Sequence, residues 1–74
     1  MQVSVLGPKG AIWKGRMKQI NLPTEDGELS VLDFHQPFLI RLKRGLLRLP
    51  EARATIKDGI AFMRGNELTL FVET

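Results

Sequence analysis

Cysteine is absent from this chain of 74 residues, tyrosine is absent too, and histidine occurs once. Without cysteine there is no disulfide to staple the fold and no thiolate to hold a metal. The single histidine, His35, leaves any metal centre short of the three or four converging ligands such sites normally use. No stretch approaches the roughly 18 apolar residues of a transmembrane helix. The opening residues, Met1-Gln2-Val3-Ser4, lack the basic region and long apolar run of a secretory signal. The motifs Ser-x-x-Lys, Gly-x-Ser-x-Gly and His-Glu-x-x-His are all missing. Gly7-Pro8-Lys9-Gly10 lacks the Gly-Lys-Ser/Thr ending of a phosphate-binding loop, so it reads as a turn. With so little chain from which to build a water-excluding pocket, catalysis is not expected, nor is a cofactor.

What is present is an ordinary globular composition, with 43% apolar and 26% charged residues. The length fits one domain, residues 1–74. A domain this small buries only about 60% of the surface its unfolded chain exposes. It therefore relies on its own apolar residues or on a partner that covers what it cannot bury. The net charge of +3 is mild but unevenly placed. Lys9, Lys14, Arg16 and Lys18 come without an intervening acid. Glu25, Asp26, Glu28 and Asp33 form an acidic stretch, and Arg41, Lys43, Arg44 and Arg48 a second basic one. Each group alone reads as a solvated face. Together they describe a surface able to recognise a partner of patterned charge. The acidic stretch does not match the spacing of a calcium loop.

Glycine and proline punctuate the chain at short intervals. Gly7–Gly10, Pro23–Gly27, Asp58-Gly59 and Gly65-Asn66 all read as turns. The runs between them mostly alternate. Val3 and Val5 flank Ser4, and Ala54 and Ile56 flank Thr55. Leu68, Leu70 and Val72 share one face, with Thr69, Phe71 and Glu73 opposite. Short alternating runs with regular turns predict an all-β sandwich or barrel. In Ala11–Leu22 the phase changes, Trp13 and Met17 against Ile20 and Leu22, and a β-bulge between Met17 and Ile20 reconciles the two. Phe38–Leu49 admits two readings. Leu39, Leu42, Leu46 and Leu49 have helical spacing between Pro37 and Pro50. Alternatively Phe38, Ile40 and Leu42 line a strand that turns at Lys43-Arg44-Gly45. In the strand reading Leu39 and Leu47 fall opposite that set, as Phe71 falls opposite Leu68, Leu70 and Val72. A sheet apolar on both sides is internal or covered by a partner. Trp13, Phe38 and Phe71 among basic neighbours also fit a stacking platform for single-stranded nucleic acid. The dipeptide Met17-Lys18 is that of a lipoyl-type carrier domain, without the surrounding turn signals.

Taken in order, the residues resemble the N-terminal domain of the epsilon subunit of the rotary F-type ATP synthase, called delta in mitochondria. That family opens with a short alternating strand, matched by Met1–Val5, and a proline-bearing turn, matched by Gly7-Pro8. Trp13-Lys14-Gly15 and Leu22-Pro23 match its next two signals. Gly27-Glu28-Leu29-Ser30-Val31-Leu32-Asp33-Phe34-His35-Gln36-Pro37-Phe38, followed by Leu42-Lys43-Arg44-Gly45, resembles its most specific block. Asp58-Gly59-Ile60-Ala61-Phe62 and Gly65–Leu70 resemble its last strands. Ser30 stands for a usual glycine, Asp33 for a usual proline, and Arg44 where proline is frequent.

The resemblance implies a flattened antiparallel β-sandwich of about ten short strands. The two-helix C-terminal hairpin that commonly follows in the family is absent from these 74 residues. It further implies a non-catalytic rotor element at the foot of the central stalk. Such an element binds the gamma subunit and the c ring and helps couple proton or sodium translocation to ATP synthesis or hydrolysis. It belongs to a peripheral complex on the cytoplasmic face of the bacterial inner membrane, or the organellar equivalent, without itself inserting in the membrane or binding nucleic acid. Glu28, Leu29 and Ser30 would face the c ring, and His35 would lie near gamma. Leu39, Leu47 and Phe71 join the gamma face from their strand pattern. The alternative is a small basic β-barrel for single-stranded nucleic acid.

Overall fold

A computed structural model describes all 74 residues and contains nine strands and no helix. They are β1 (Gln2–Gly7), β2 (Gly10–Arg16), β3 (Gln19–Thr24), β4 (Gly27–Leu32), β5 (Phe38–Leu42), β6 (Gly45–Leu49), β7 (Ala52–Ile56), β8 (Asp58–Arg64) and β9 (Glu67–Glu73). Four tight hairpins join all but β5 in pairs, closed by Gly7↔Gly10, Thr24↔Gly27, Leu49↔Ala52 and Arg64↔Glu67. The turn chemistry explains the sharpness. Gly65 and Asn66 both hold positive φ, at 58° and 56°, the conformation a twisted two-residue hairpin needs. Pro50 precedes Glu51, whose φ is 60°.

The sandwich has two layers. One is a five-stranded sheet in the order β2-β1-β9-β8-β5. Its pairs are antiparallel except β1–β9, which run parallel and bring the first and last strands together. That pair is the one parallel contact in an otherwise antiparallel sandwich. The other layer consists of the β3–β4 and β6–β7 hairpins. They lie side by side through β3 and β6 without a shared ladder. Pro23 of β3 has no N–H to offer across this seam. A side chain on Gly45 would meet the Pro23 Cβ at 2.7 Å, so only glycine lets β6 approach. The Lys43 amide donates to the Pro23 carbonyl at 3.0 Å and closes one end.

Between the layers, 15 buried apolar residues form one core, including Val3, Val5, Leu22, Leu42, Leu47, Ile56, Leu68 and Leu70. No polar residue is buried. The Met1 side chain joins the core, and its amino group pairs with the Asp33 carboxylate and donates to the Met17 carbonyl at 2.8 Å.

The Phe38–Leu49 segment forms two strands, as the family resemblance implies; of its four leucines at helical spacing, Leu42 and Leu49 point inward and Leu39 and Leu46 outward. Those strands are not a hairpin, however, since β5 pairs with β8 and β6 with β7. Lys43-Arg44 carries the chain from one layer to the other and resets the phase. Finally, there is no bulge between Met17 and Ile20: the chain changes layers there, and the register shift lies at Val5/Leu6 in the β1–β2 pair.

Candidate functional site

The outer face of the five-stranded sheet carries an apolar patch. The register lays two rows of side chains across it, beside a charged row of Arg16, Gln2, Glu67 and Arg64 at one end. One row runs Leu6, Phe71, Ile60 and Arg41 through β1, β9, β8 and β5. The next runs Lys14, Ser4, Thr69, Phe62 and Leu39 through β2, β1, β9, β8 and β5. Ile12 of β2 adds to the edge beside Leu6 and Gly7. Leu39 is 69% exposed and Phe71 51% exposed, and Ile12, Ile60 and Phe62 are exposed as well. A shallow groove runs between Leu6, Leu39, Ile60 and Phe71.

At one end of the groove Arg41 pairs with Asp58. The Arg41 Nη2 donates to Asp58 Oδ2 at 3.0 Å, and the Gly59 amide donates to Oδ1 at 2.8 Å. The hydrogen bond from Arg41, followed by that from Gly59, holds the Asp58 carboxyl below the ordinary carboxylate range. The same contact raises the Arg41 guanidinium. The charged form of Asp58 thus fixes the orientation of Arg41 at the rim of an apolar surface.

Leu39 and Phe71 stand on this face. Leu47 does not: its exposure is 0% and it lies in the core, which removes it from any interface. The parity reset at Lys43-Arg44 turns it inward, although uninterrupted alternation placed it beside Leu39. His35 lies in the β4–β5 connection, half-buried, outside these rows. Its ring meets Phe38 edge-on with centroids 5.2 Å apart, and its Nδ1–H donates to the Gln36 carbonyl at 2.9 Å. Leu6, Ile12, Ile60 and Phe62 were not singled out from the sequence. The alternation of Ile60 and Phe62 with Ala61 and Met63 was the available signal for two of them.

Glu28, Leu29 and Ser30 belong to strand β4 rather than to a loop; the turn of that hairpin is Glu25-Asp26. Glu28 and Ser30 point outward, while Leu29 packs against the core. Ser30 Oγ accepts from Gln19 Nε2 at 2.7 Å and donates to Asn21 Oδ1 at 2.8 Å, a polar ladder across β3 and β4. Of the three aromatics of the stacking platform, Trp13 and Phe38 pack against the core and only Phe71 is exposed. Met17-Lys18 crosses between layers and is not the tip of a carrier hairpin.

The chain is, as a class, a two-layered β-sandwich domain with an apolar patch exposed on one sheet. The comparisons narrow the class. All of residues 1–74 match the model of the ATP synthase delta/epsilon chain, beta-sandwich domain, and the chain belongs to this family. The ATP synthase epsilon chain of Rickettsia bellii is 30% identical over 81 residues, covering all of this chain and 75% of the relative. The chloroplastic epsilon chain of Tetradesmus obliquus is 35% identical over 74 residues, covering 95% of this chain and 54% of the relative. The chain thus spans about half the length of such algal relatives. Its fold is similar to that of a chain in the central stalk/c-ring structure of the Tetrahymena thermophila mitochondrial ATP synthase. There the TM-score is 0.82 at 15% identity, covering all of this chain and 63% of that one.

Proposed function

We infer that this domain is a non-catalytic rotor element of a rotary ATP synthase, seated between the gamma subunit and the c ring. The observation that carries the reading is the contiguous apolar face built by Leu6, Ile12, Leu39, Ile60, Phe62 and Phe71. An exposed apolar patch of this kind marks a protein–protein contact, and the family membership supports gamma as the partner. Glu25, Asp26 and Glu28 on the β3–β4 hairpin are the complementary element for cationic polar loops of a c ring. A stiff sandwich gripping both partners transmits torque and helps couple ion translocation to ATP synthesis or hydrolysis. Seated there, the domain belongs to a peripheral complex on the membrane surface where the stalk stands. No helix of the chain is long and apolar enough to cross a membrane.

The nucleic-acid reading has less support. Phe62 and Phe71 are the aromatics on the apolar face; Arg41 there is already paired with Asp58, which leaves Lys14 at the far edge of the Phe62 row. The decisive experiment is co-expression with the cognate gamma subunit followed by size-exclusion chromatography. Comigration at micromolar concentration is expected; separate elution would overturn the assignment. Glu28→Lys should leave the isolated domain folded and gamma binding intact while weakening attachment to a purified c ring.

A further inference from the structure

The net positive charge of the molecule resides in one hairpin and its two connections. Residues 43–57 hold Lys43, Arg44, Arg48, Arg53 and Lys57 against one carboxylate, Glu51. The rest of the chain has six of the 11 cations and seven of the eight carboxylates, so the net +3 comes from this segment alone. Within it, Arg48 of β6 and Arg53 of β7 stand directly opposite each other. Both are exposed on the outward face, because Leu47 and Leu49 occupy the inward one. Side chains so placed sit about 5 Å apart at Cβ, where like charges weaken the pairing. The ion pairs of the molecule are Met1–Asp33 and Arg41–Asp58, so neither guanidinium has a carboxylate partner. Two arginines in register repel each other, and neither forms an ion pair with the nearby Glu51 or Glu28.

We propose that the outward face of β6–β7 docks a carboxylate-rich segment of a partner protein, with Arg48 and Arg53 as its central pair. Charge complementarity selects an anionic partner, and the guanidinium fork matches carboxylates two oxygens at a time. The face is open rather than enclosed: the hollow beside the pair is bordered only by Leu49, Glu51 and Ala52. A small free anion gains little there, whereas an extended acidic segment meets several cations at once. The exposed aromatics Phe34, Phe62 and Phe71 all lie on other elements, so bases would find no ring to stack on. Leu46, at 36% exposure, is the hairpin's single large exposed apolar residue, too little to enter a bilayer. The groove beside Arg48 is lined by Gln19, Asn21, Gly45 and Leu46 together with the Glu28 carboxylate, so an acidic segment would lie along the Arg48–Arg53 pair rather than in that groove. This face belongs to the layer opposite the apolar sheet, so the proposal stands independently of the gamma assignment.

The test uses the intact chain and a fluorescent deca-glutamate peptide, with oligothymidylate of equal charge and phosphatidylserine vesicles as competing probes. Peptide binding is expected with amide chemical-shift changes centred on β6–β7. Replacing both arginines (Arg48→Gln, Arg53→Gln) should weaken it about tenfold or more. Removing two cations elsewhere (Lys9→Gln, Lys14→Gln) should leave it unchanged. Arg48→Gln should also raise the melting temperature of the free chain by relieving the repulsion. The proposal is overturned by absent binding, by equal loss in the two double variants, by shifts centred outside β6–β7, or by tighter binding to oligothymidylate or vesicles. A lower melting temperature for Arg48→Gln would overturn it too, by giving the pair a structural role.

Discussion

Phe34 holds φ at 61° and is 81% exposed. A bulky residue in the left-handed region costs roughly 1–2 kcal/mol. Its neighbours hold it there: the Phe34 amide donates to Asn66 Oδ1 at 2.7 Å, and the His35 amide donates to the Leu32 carbonyl at 3.2 Å. Asparagine tolerates this conformation and keeps the amide donor. Phe34→Asn should therefore stabilise the chain by about 0.5–1 kcal/mol in urea denaturation. A loss of stability would mean that the exposed ring contributes packing after all. Asp58 gives a second residue-scale prediction, with a sign fixed by linkage. Its folded pKa is lowered, chiefly by the hydrogen bond from Arg41. Its contribution is fully present above the ordinary carboxylate pKa of about 3.9 and fades as pH falls through the lower folded value. Asp58→Asn should melt below the parent protein at neutral pH, with the gap closing in acid. Because the pair is exposed, the gap should be small. A gap that widens in acid would contradict the assignment.

The seam between the β3–β4 and β6–β7 hairpins is the least hydrogen-bonded part of the fold. Its closeness depends on Gly45 against Pro23, where an added Cβ would stand 2.7 Å from the Pro23 Cβ. Gly45→Ala should cost about 1–3 kcal/mol, as overpacking does. Amide exchange should accelerate in β3 and β6 before β1 and β9, and uniform exchange would show the seam to be no weaker than the rest. The same element-level view explains what the sequence disclosed. Alternation within β1, β9 and the end of β7 was readable because each strand stays in one layer and buries one parity. So were the Gly7–Gly10, Pro23–Gly27 and Gly65-Asn66 turns. Phase across connections was not readable. Two-residue crossings at Met17-Lys18 and Lys43-Arg44 flip which parity points inward, and local composition carries no mark of a change of layer. Strict alternation therefore puts Leu47 outside beside Leu39 and asks for a bulge at Met17–Ile20, and the fold has neither. The parallel pairing of β1 with β9 was equally hidden, since it joins the two ends of the chain. Leu39 and Phe71 were legible as surface residues because each lies in a strand whose own partners settle its face.

At the scale of the molecule, the two outward faces carry different chemistry. The five-stranded sheet presents isoleucine, leucine and phenylalanine to water; the paired hairpins present a polar ladder and unpaired cations. The core lies wholly between them, so neither outer face is needed to hold the fold together. The apolar face can therefore be altered without unfolding the chain. Leu39→Glu with Phe71→Glu should change folding stability by less than about 1 kcal/mol, the usual limit for exposed positions away from structural features. The two sites lie in strands β5 and β9 on either side of β8, in adjacent rows of the same face. Two carboxylates there would have to be buried unpaired in any apolar interface, at a cost of several kcal/mol. Binding to cognate gamma should accordingly fall by at least about a hundredfold in calorimetric titration, while circular dichroism and melting remain close to those of the parent chain. Unchanged affinity with an intact fold would move the gamma contact to another surface. Lost affinity with an intact fold would establish the apolar sheet face as the grip of the domain on the stalk.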